Sequence, residues 1–169
     1  MKERIEAFTG ERITDEKIRN SIDLYNRMRE ILRNISLLRR SPDPPLSALD
    51  FVRLNHASFY ADPEFMVNLL HPLYTEWKDR RTTTDPPKPR LLLAGPSLGR
   101  GDYNILKLVD AAGGEIVIEE VCEGIRDYRQ QVENSGDPVH SLAKSYLRDR
   151  IPCAYMRDST GKRLDFILK

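Results

Sequence analysis

Residues 90–126, RLLLAGPSLGRGDYNILKLVDAAGGEIVIEEVCEGIR, constrain the fold more than any other part of the chain. Leu91, Leu92, Leu93 and Ala94 form a short continuous apolar run, the pattern of a strand covered on both faces in a parallel sheet. The turn that follows, residues 95–102, holds Gly95, Gly99 and Gly101 and is too glycine-rich to continue a strand. A helix is then predicted from Ile105, Leu106, Leu108 and Val109, stopped by Gly113-Gly114. Ile116, Val117 and Ile118 make a second buried strand, which carries Cys122 to its carboxyl end. In open α/β sheets that edge is where ligands bind. The expected class is therefore α/β: a helical N-terminal part, then a Rossmann-like parallel βαβ unit with flanking helices.

The rest of the chain divides around this unit: a helical region over residues 1–80, a connector over 81–89 and a partial α/β domain over 90–169. Residues 1–40 read mostly as one long helix. Thr14 is a suitable N-cap with Asp15 and Glu16 in the first turn. Ile18, Ile22, Tyr25, Met28, Ile31 or Leu32, Ile35 and Leu38 then recur every three to four residues. That stripe is a packing face or a surface for a second subunit. Arg39 and Arg40 suit the negative helix end before Pro42 forbids continuation.

A second helix is predicted from Ser47, with Asp50 imitating a capping box, through Phe51, Val52 and Leu54. A third starts at Asp62-Pro63 and carries Phe65, Met66, Leu69, Leu70, Leu73, Tyr74 and Trp77. Pro72 predicts a kink or an early break near Leu69. His56 and His71 have no second histidine or carboxylate at metal-ligand spacing and read as surface or packing residues. The connector is polar and proline-rich, without periodicity.

Composition narrows function by exclusion. With 169 residues, 40% hydrophobic and 31% charged, the chain has a globular composition. A net charge of +1 carries no nucleic-acid footprint. No apolar run approaches the roughly 20 residues a membrane span needs. MKERIEAF has no apolar core of a secretory signal, and two cysteines make no disulfide framework, so a reducing cytoplasm is the expected compartment.

The glycine-rich turn follows a strand and precedes a helix, the context of a phosphate-cradling loop. Its spacing matches neither G-x-G-x-x-G nor the P-loop. It is either a tight structural crossover or the lining of a ligand pocket, and Ser97 and Arg100 are the groups it would then offer. A lone cysteine beside a buried strand is commonly a small core residue, and Cys122 read alone fits that. Glu119, Glu120 and Glu123 crowd it; carboxylates disfavour an adjacent thiolate, so they are expected to face solvent or a partner.

Asp137-Pro138 opens another capped helix with Val139, Leu142, Ala143, Tyr146 and Leu147 inward, and His140 exposed. Cys153 reads as a buried structural thiol or, alternatively, a residue of the cofactor environment, with a third strand open over 153–155. Residues 162–169 begin an amphipathic helix without a following strand, so the chain is expected to be a fragment of a larger subunit. A homo-oligomer is one way to cover its sheet edges.

The runs GPSLGRGDYNILKLVDAAGGEIVIEEVCEGIRDY and DPVHSLAKSYLRDRIPCAYM, with the opening ERIEAFTGERITDEKIRNSIDLYNRMREILRNI, resemble the iron–sulfur subunits of the 2-hydroxyacyl-CoA dehydratases and benzoyl-CoA reductases. The resemblance covers nearly the whole chain. It implies that Cys122 supplies a thiolate to a [4Fe-4S] cluster, with Gly124 letting backbone approach the sulfides and Arg126 offsetting their charge. Ser97 and Arg100 would line the cofactor or thioester pocket. One cysteine does not hold a four-iron cluster, so the cluster belongs to the full-length parent. The implied partners are a second homologous subunit in a heterodimer, an ATP-hydrolysing activator and an acyl-CoA substrate. Alone, the chain is expected to be catalytically silent. A non-catalytic scaffold or a CoA-binding α/β module is the alternative.

Overall fold

A computed structural model describes residues 1–80, 88–151 and 160–168. Helix α1, Lys2–Thr9, ends at Gly10, whose left-handed φ of 73° lets its N–H reach the Glu6 carbonyl at 2.9 Å. The long helix predicted from Thr14 is thus preceded by a short one. Helix α2, Asp15–Leu38, restarts at Thr14, whose hydroxyl accepts from Lys17 N–H at 3.2 Å. Helix α1 buries none of its residues, whereas α2 buries Ile22, Met28, Ile31, Leu32 and Ile35 along the predicted stripe.

Helix α3, Ala48–Ala57, opens as expected on Ser47, which accepts from Asp50 N–H at 3.1 Å and donates to its carboxylate at 2.8 Å. Helix α4, Pro63–Trp77, is capped by Asp62 through Glu64 and Phe65 N–H. The early break predicted near Leu69 does not occur, and the helix runs on past Pro72. A proline costs the ladder one N–H. Here Met66, Val67 and Leu70 before it are buried, and Tyr74 and Trp77 beyond it pack on the same core, so both halves stay docked.

Leu32, Ile35, Phe51, Val52, Met66 and Leu70 are each at most 1% exposed and form the centre of that core. Burial of such side chains contributes roughly 1.5–3 kcal/mol apiece. Leu106, Ile116 and Tyr128 from the α/β part belong to the same cluster, so the N-terminal helices and the βαβ unit share one interior.

Strand β1, Arg90–Ala94, helix α5, Asn104–Ala111, and strand β2, Glu115–Glu120, make the predicted parallel βαβ unit. Gly113, at φ 80°, turns α5 into β2. The pairing slips once: Leu91 is opposite Ile116, but Leu92 is opposite Ile118, so Val117 is an extra residue in β2. Ile116 and Glu119, three apart, are therefore both buried where strict alternation would bury Ile116 and Ile118.

The expectation that residues 91–94 are covered on both faces is not met. Leu91 and Leu92 are each 44% exposed, and Leu93 alone packs on the core. Among the described residues β1 has a strand on one side only.

After the short helix α6, Ile125–Tyr128, helix α7, Pro138–Lys144, starts on Asp137, which accepts from Val139 and His140 N–H at 2.8 and 2.9 Å. It widens into a π-helical turn, Ser145–Asp149. The inward face is Pro138, Ser141 and Ser145, not the predicted Val139, Tyr146 and Leu147, which are exposed. A π turn rotates the register by about one residue, and Tyr146 instead lies against Arg29, whose Nη2 donates to its hydroxyl at 2.6 Å. Helix α8, Thr160–Ile167, lies over Leu92, Val117, Ile118 and Glu120, enclosing with them a cavity of about 330 Å³. Cys153 and the open strand at 153–155 lie outside the described residues.

Candidate functional site

Parallel strands bring two loops to one edge: the glycine-rich turn after β1 and residues 121–124 after β2. The backbones are joined there. Gly95 N–H donates to the Glu120 carbonyl at 3.2 Å, and Cys122 N–H donates to the Pro96 carbonyl at 2.9 Å. Cys122 is half-buried at this edge, as the sequence pattern predicts.

Ser97 comes to the same point, since its hydroxyl donates to the Glu123 carboxylate and Leu98 N–H approaches the other carboxylate oxygen at 3.4 Å. The third side is α3, from which the Asn55 carboxamide donates to the Glu123 carbonyl. Arg100 turns instead to the loop between α3 and α4. It donates to the Tyr60 hydroxyl at 2.7 Å and stacks over the Phe59 and Tyr60 rings at 4.9 and 4.7 Å.

Gly124 is required by packing within the fold. A Cβ there would lie 2.3 Å from the Glu119 carbonyl oxygen and 3.0 Å from a Val121 methyl, so no side chain fits. Arg126 is buried at 4% exposure. Its Nη2 donates to the Gly95 carbonyl at 2.8 Å, and its Nε is 2.9 Å from Glu120 Oε1, close enough for an ion pair though off the line of a hydrogen bond.

The glutamates overturn one expectation. Glu119 and Glu120 do not face solvent; each is 1% exposed. Arg39, at the end of α2, holds Glu119 with two hydrogen bonds of 2.8 and 3.1 Å, and Arg126 and Arg163 hold Glu120. Two carboxylates can be buried because three guanidiniums neutralise them. Tyr128 adds its hydroxyl to Glu119 at 3.0 Å and lies 3.0 Å from Ser36 Oγ. Burial, reinforced by the Glu119 charge, pushes the Tyr128 phenol well above its ordinary value of 10.0.

Sequence reasoning also missed how His56 is used. It is buried, as a packing histidine should be, with Nδ1 3.3 Å from the Tyr103 hydroxyl. Burial lowers its pKa from the usual 6.5; Glu123 opposes this, Arg100 adds to it, and Glu119 opposes it. His71 and His140 are exposed, as expected. The usable signal for the buried charges was the Glu119-Glu120 pair prolonging an apolar strand, which demands interior cations. Nothing local singled out Arg39 as one of them.

As a cofactor site, the edge offers one cysteine among the described residues. Among the described residues no three His, Cys, Asp or Glu side chains gather as a metal site. Cys122 fits the chemistry of an iron–sulfur ligand, and the remaining ligands of such a cluster are not among the described residues. Nor, among them, is any helix long and apolar enough to cross a membrane.

A mixed α/β fold with a cysteine at the carboxyl ends of two parallel strands is the class that this geometry defines. The chain belongs to the family described as "2-hydroxyglutaryl-CoA dehydratase, D-component", whose profile matches residues 1–169. It is 28% identical to the putative dehydratase subunit YjiM of Escherichia coli (strain K12), an alignment that covers 97% of this chain and 44% of that protein. It is 24% identical to a benzoyl-CoA reductase subunit of Thauera aromatica, over 94% of this chain and 41% of that one. With the (R)-phenyllactyl-CoA dehydratase beta subunit of Clostridium sporogenes the identity is 22%, over 99% and 43%. The chain thus spans less than half the length of these relatives.

Proposed function

We propose that the chain is part of a [4Fe-4S] subunit of a 2-hydroxyacyl-CoA dehydratase. The full-length parent would remove water from an (R)-2-hydroxyacyl-CoA by a ketyl-radical route, after one-electron transfer from an ATP-dependent activator, as one half of a heterodimer. When bound, the cluster supplies one-electron chemistry. The observation that carries the reading is Cys122, half-buried at the carboxyl edge of the parallel sheet within a chain matched end to end by the family.

The residues around it have definite duties in this reading. Cys122 is one thiolate donor, and the Pro96 carbonyl fixes its backbone. Arg126 acts at one remove, by locking the end of β2 to the end of β1 through Glu120 and Gly95. Gly124 lets the turn fold back tightly on Glu119. Ser97 and Arg100 remain the polar side chains of the glycine-rich turn, now seen tied to Glu123 and to Tyr60.

A benzoyl-CoA reductase component is the second reading, favoured by the likeness to the Thauera aromatica protein. Both readings make the same prediction for Cys122. Iron and acid-labile sulfide should fall in the anaerobically purified full-length Cys122→Ala variant, and cluster content equal to wild type would overturn the ligand assignment. Loss of water from a 2-hydroxyacyl-CoA, against reduction of an aromatic acyl-CoA, then separates the two.

A further inference from the structure

Cys122 and Glu123 are consecutive, and the glycine-rich turn reaches both: the cysteine through its backbone N–H and the glutamate through its carboxylate. Three elements converge on Glu123. Ser97 Oγ–H and Leu98 N–H reach its carboxylate from the glycine-rich turn, and Asn55 reaches its carbonyl from α3. Asn55 is itself 1% exposed, and its carboxamide oxygen has no partner among the described residues, so its orientation follows from the bond to Glu123. Cys122 N–H is fixed on Pro96, one residue before Ser97. The β1 turn therefore grips the Cys122-Glu123 pair twice, once on either side of the peptide that joins them.

We infer that Ser97 and Glu123 are positioning residues for the Cys122 thiol: the Ser97–Glu123 bond closes the glycine-rich turn over residues 121–124 and sets how far that thiol is presented. This rests on the reading of Cys122 as a thiolate donor and goes beyond it, since neither residue is asked to touch a cofactor. Outer groups that orient a ligand typically change its behaviour 10–100-fold when removed. A hydroxyl donating to a carboxylate is a charge-assisted bond and is strong enough to hold a surface turn.

The test is the alkylation rate of Cys122 in the full-length protein after cluster removal, read on the tryptic peptide 108–126, in which Cys122 is the one cysteine. Ser97→Ala keeps every charge and opens the latch. It should alkylate roughly five- to tenfold faster, the change expected for one such bond, with the midpoint of the rate–pH profile unmoved. Ser97→Thr, which restores the hydroxyl, should return to the wild-type rate. Glu123→Gln removes the charge but keeps an acceptor, so its profile midpoint should shift with less than the full increase in rate.

A Ser97→Ala rate equal to wild type overturns the inference, as does a midpoint shift in Ser97→Ala as large as that in Glu123→Gln, because the effect would then be electrostatic. Faster Ser97→Ala alkylation together with wild-type iron content in Cys122→Ala would leave the latch standing and remove the cluster reading.

Discussion

The three glutamates at the end of β2 are near neighbours in sequence and opposites in environment. Glu119 and Glu120 lie inside the protein, each against at least one guanidinium, and fasten the strand to α2, α6 and α8. Glu123 lies at the rim and is held by one hydroxyl and one backbone N–H, with no cation on its carboxylate among the described contacts. A buried ion pair cannot be half made, because a charge left alone in the interior is costly. The rim latch can open into water at little expense. The interior contacts thus make the strand end rigid, while the rim contacts make the presentation of Cys122 adjustable.

Substitutions can break this contrast at graded levels. Arg39→Ala strands Glu119 and should cost about 3–5 kcal/mol in denaturant unfolding. Replacing both partners, Arg39→Met with Glu119→Met, should recover much of that; no recovery would mean that the guanidinium acts through its stacking on Phe51 at 3.9 Å. Gly124→Ala forces a Cβ against the Glu119 carbonyl and should cost about 1–3 kcal/mol by the same measurement.

His56 gives a smaller, pH-dependent effect. Burial keeps its folded-state pKa below the usual 6.5, so its contribution is complete above pH 6.5. As pH falls through 6.5 towards the folded value, the unfolded chain takes the proton first and stability declines. His56→Gln should lack that part of the decline in thermal melts between about pH 7 and 5. Ser97→Ala should be the mildest, changing global stability by about 1 kcal/mol while changing Cys122 alkylation.

Much of the fold was legible because it is written in local chemistry. Thr14, Ser47, Asp62 and Asp137 cap the helices they were expected to cap, and the βαβ unit is where apolar runs and glycines predicted it. Failures arose where a distant partner decides. A strand of leucines looks doubly covered whether or not anything covers it, so Leu91 and Leu92 misled. Pro72 predicted a break that packing on both sides prevents, and the inward face of α7 is Pro138 and Ser141, which no apolar spacing marks. At the site, Cys122 was placed at the right edge. The role of Gly124 depends on close contacts with Glu119 and Val121, and the role of Arg126 and the burial of Glu119 and Glu120 on contacts across 6 to 80 residues that no spacing rule records.

The extra residue at Val117 has a consequence for anyone who edits or aligns this strand. It shifts the parity of everything downstream in sequence, and the bulge takes up that shift. Deleting Val117 would shorten β2 to a regular ladder in which Glu119 still stands opposite Leu93 and Glu120 opposite Ala94, so both acids would keep their partners and Cys122 its side of the ribbon.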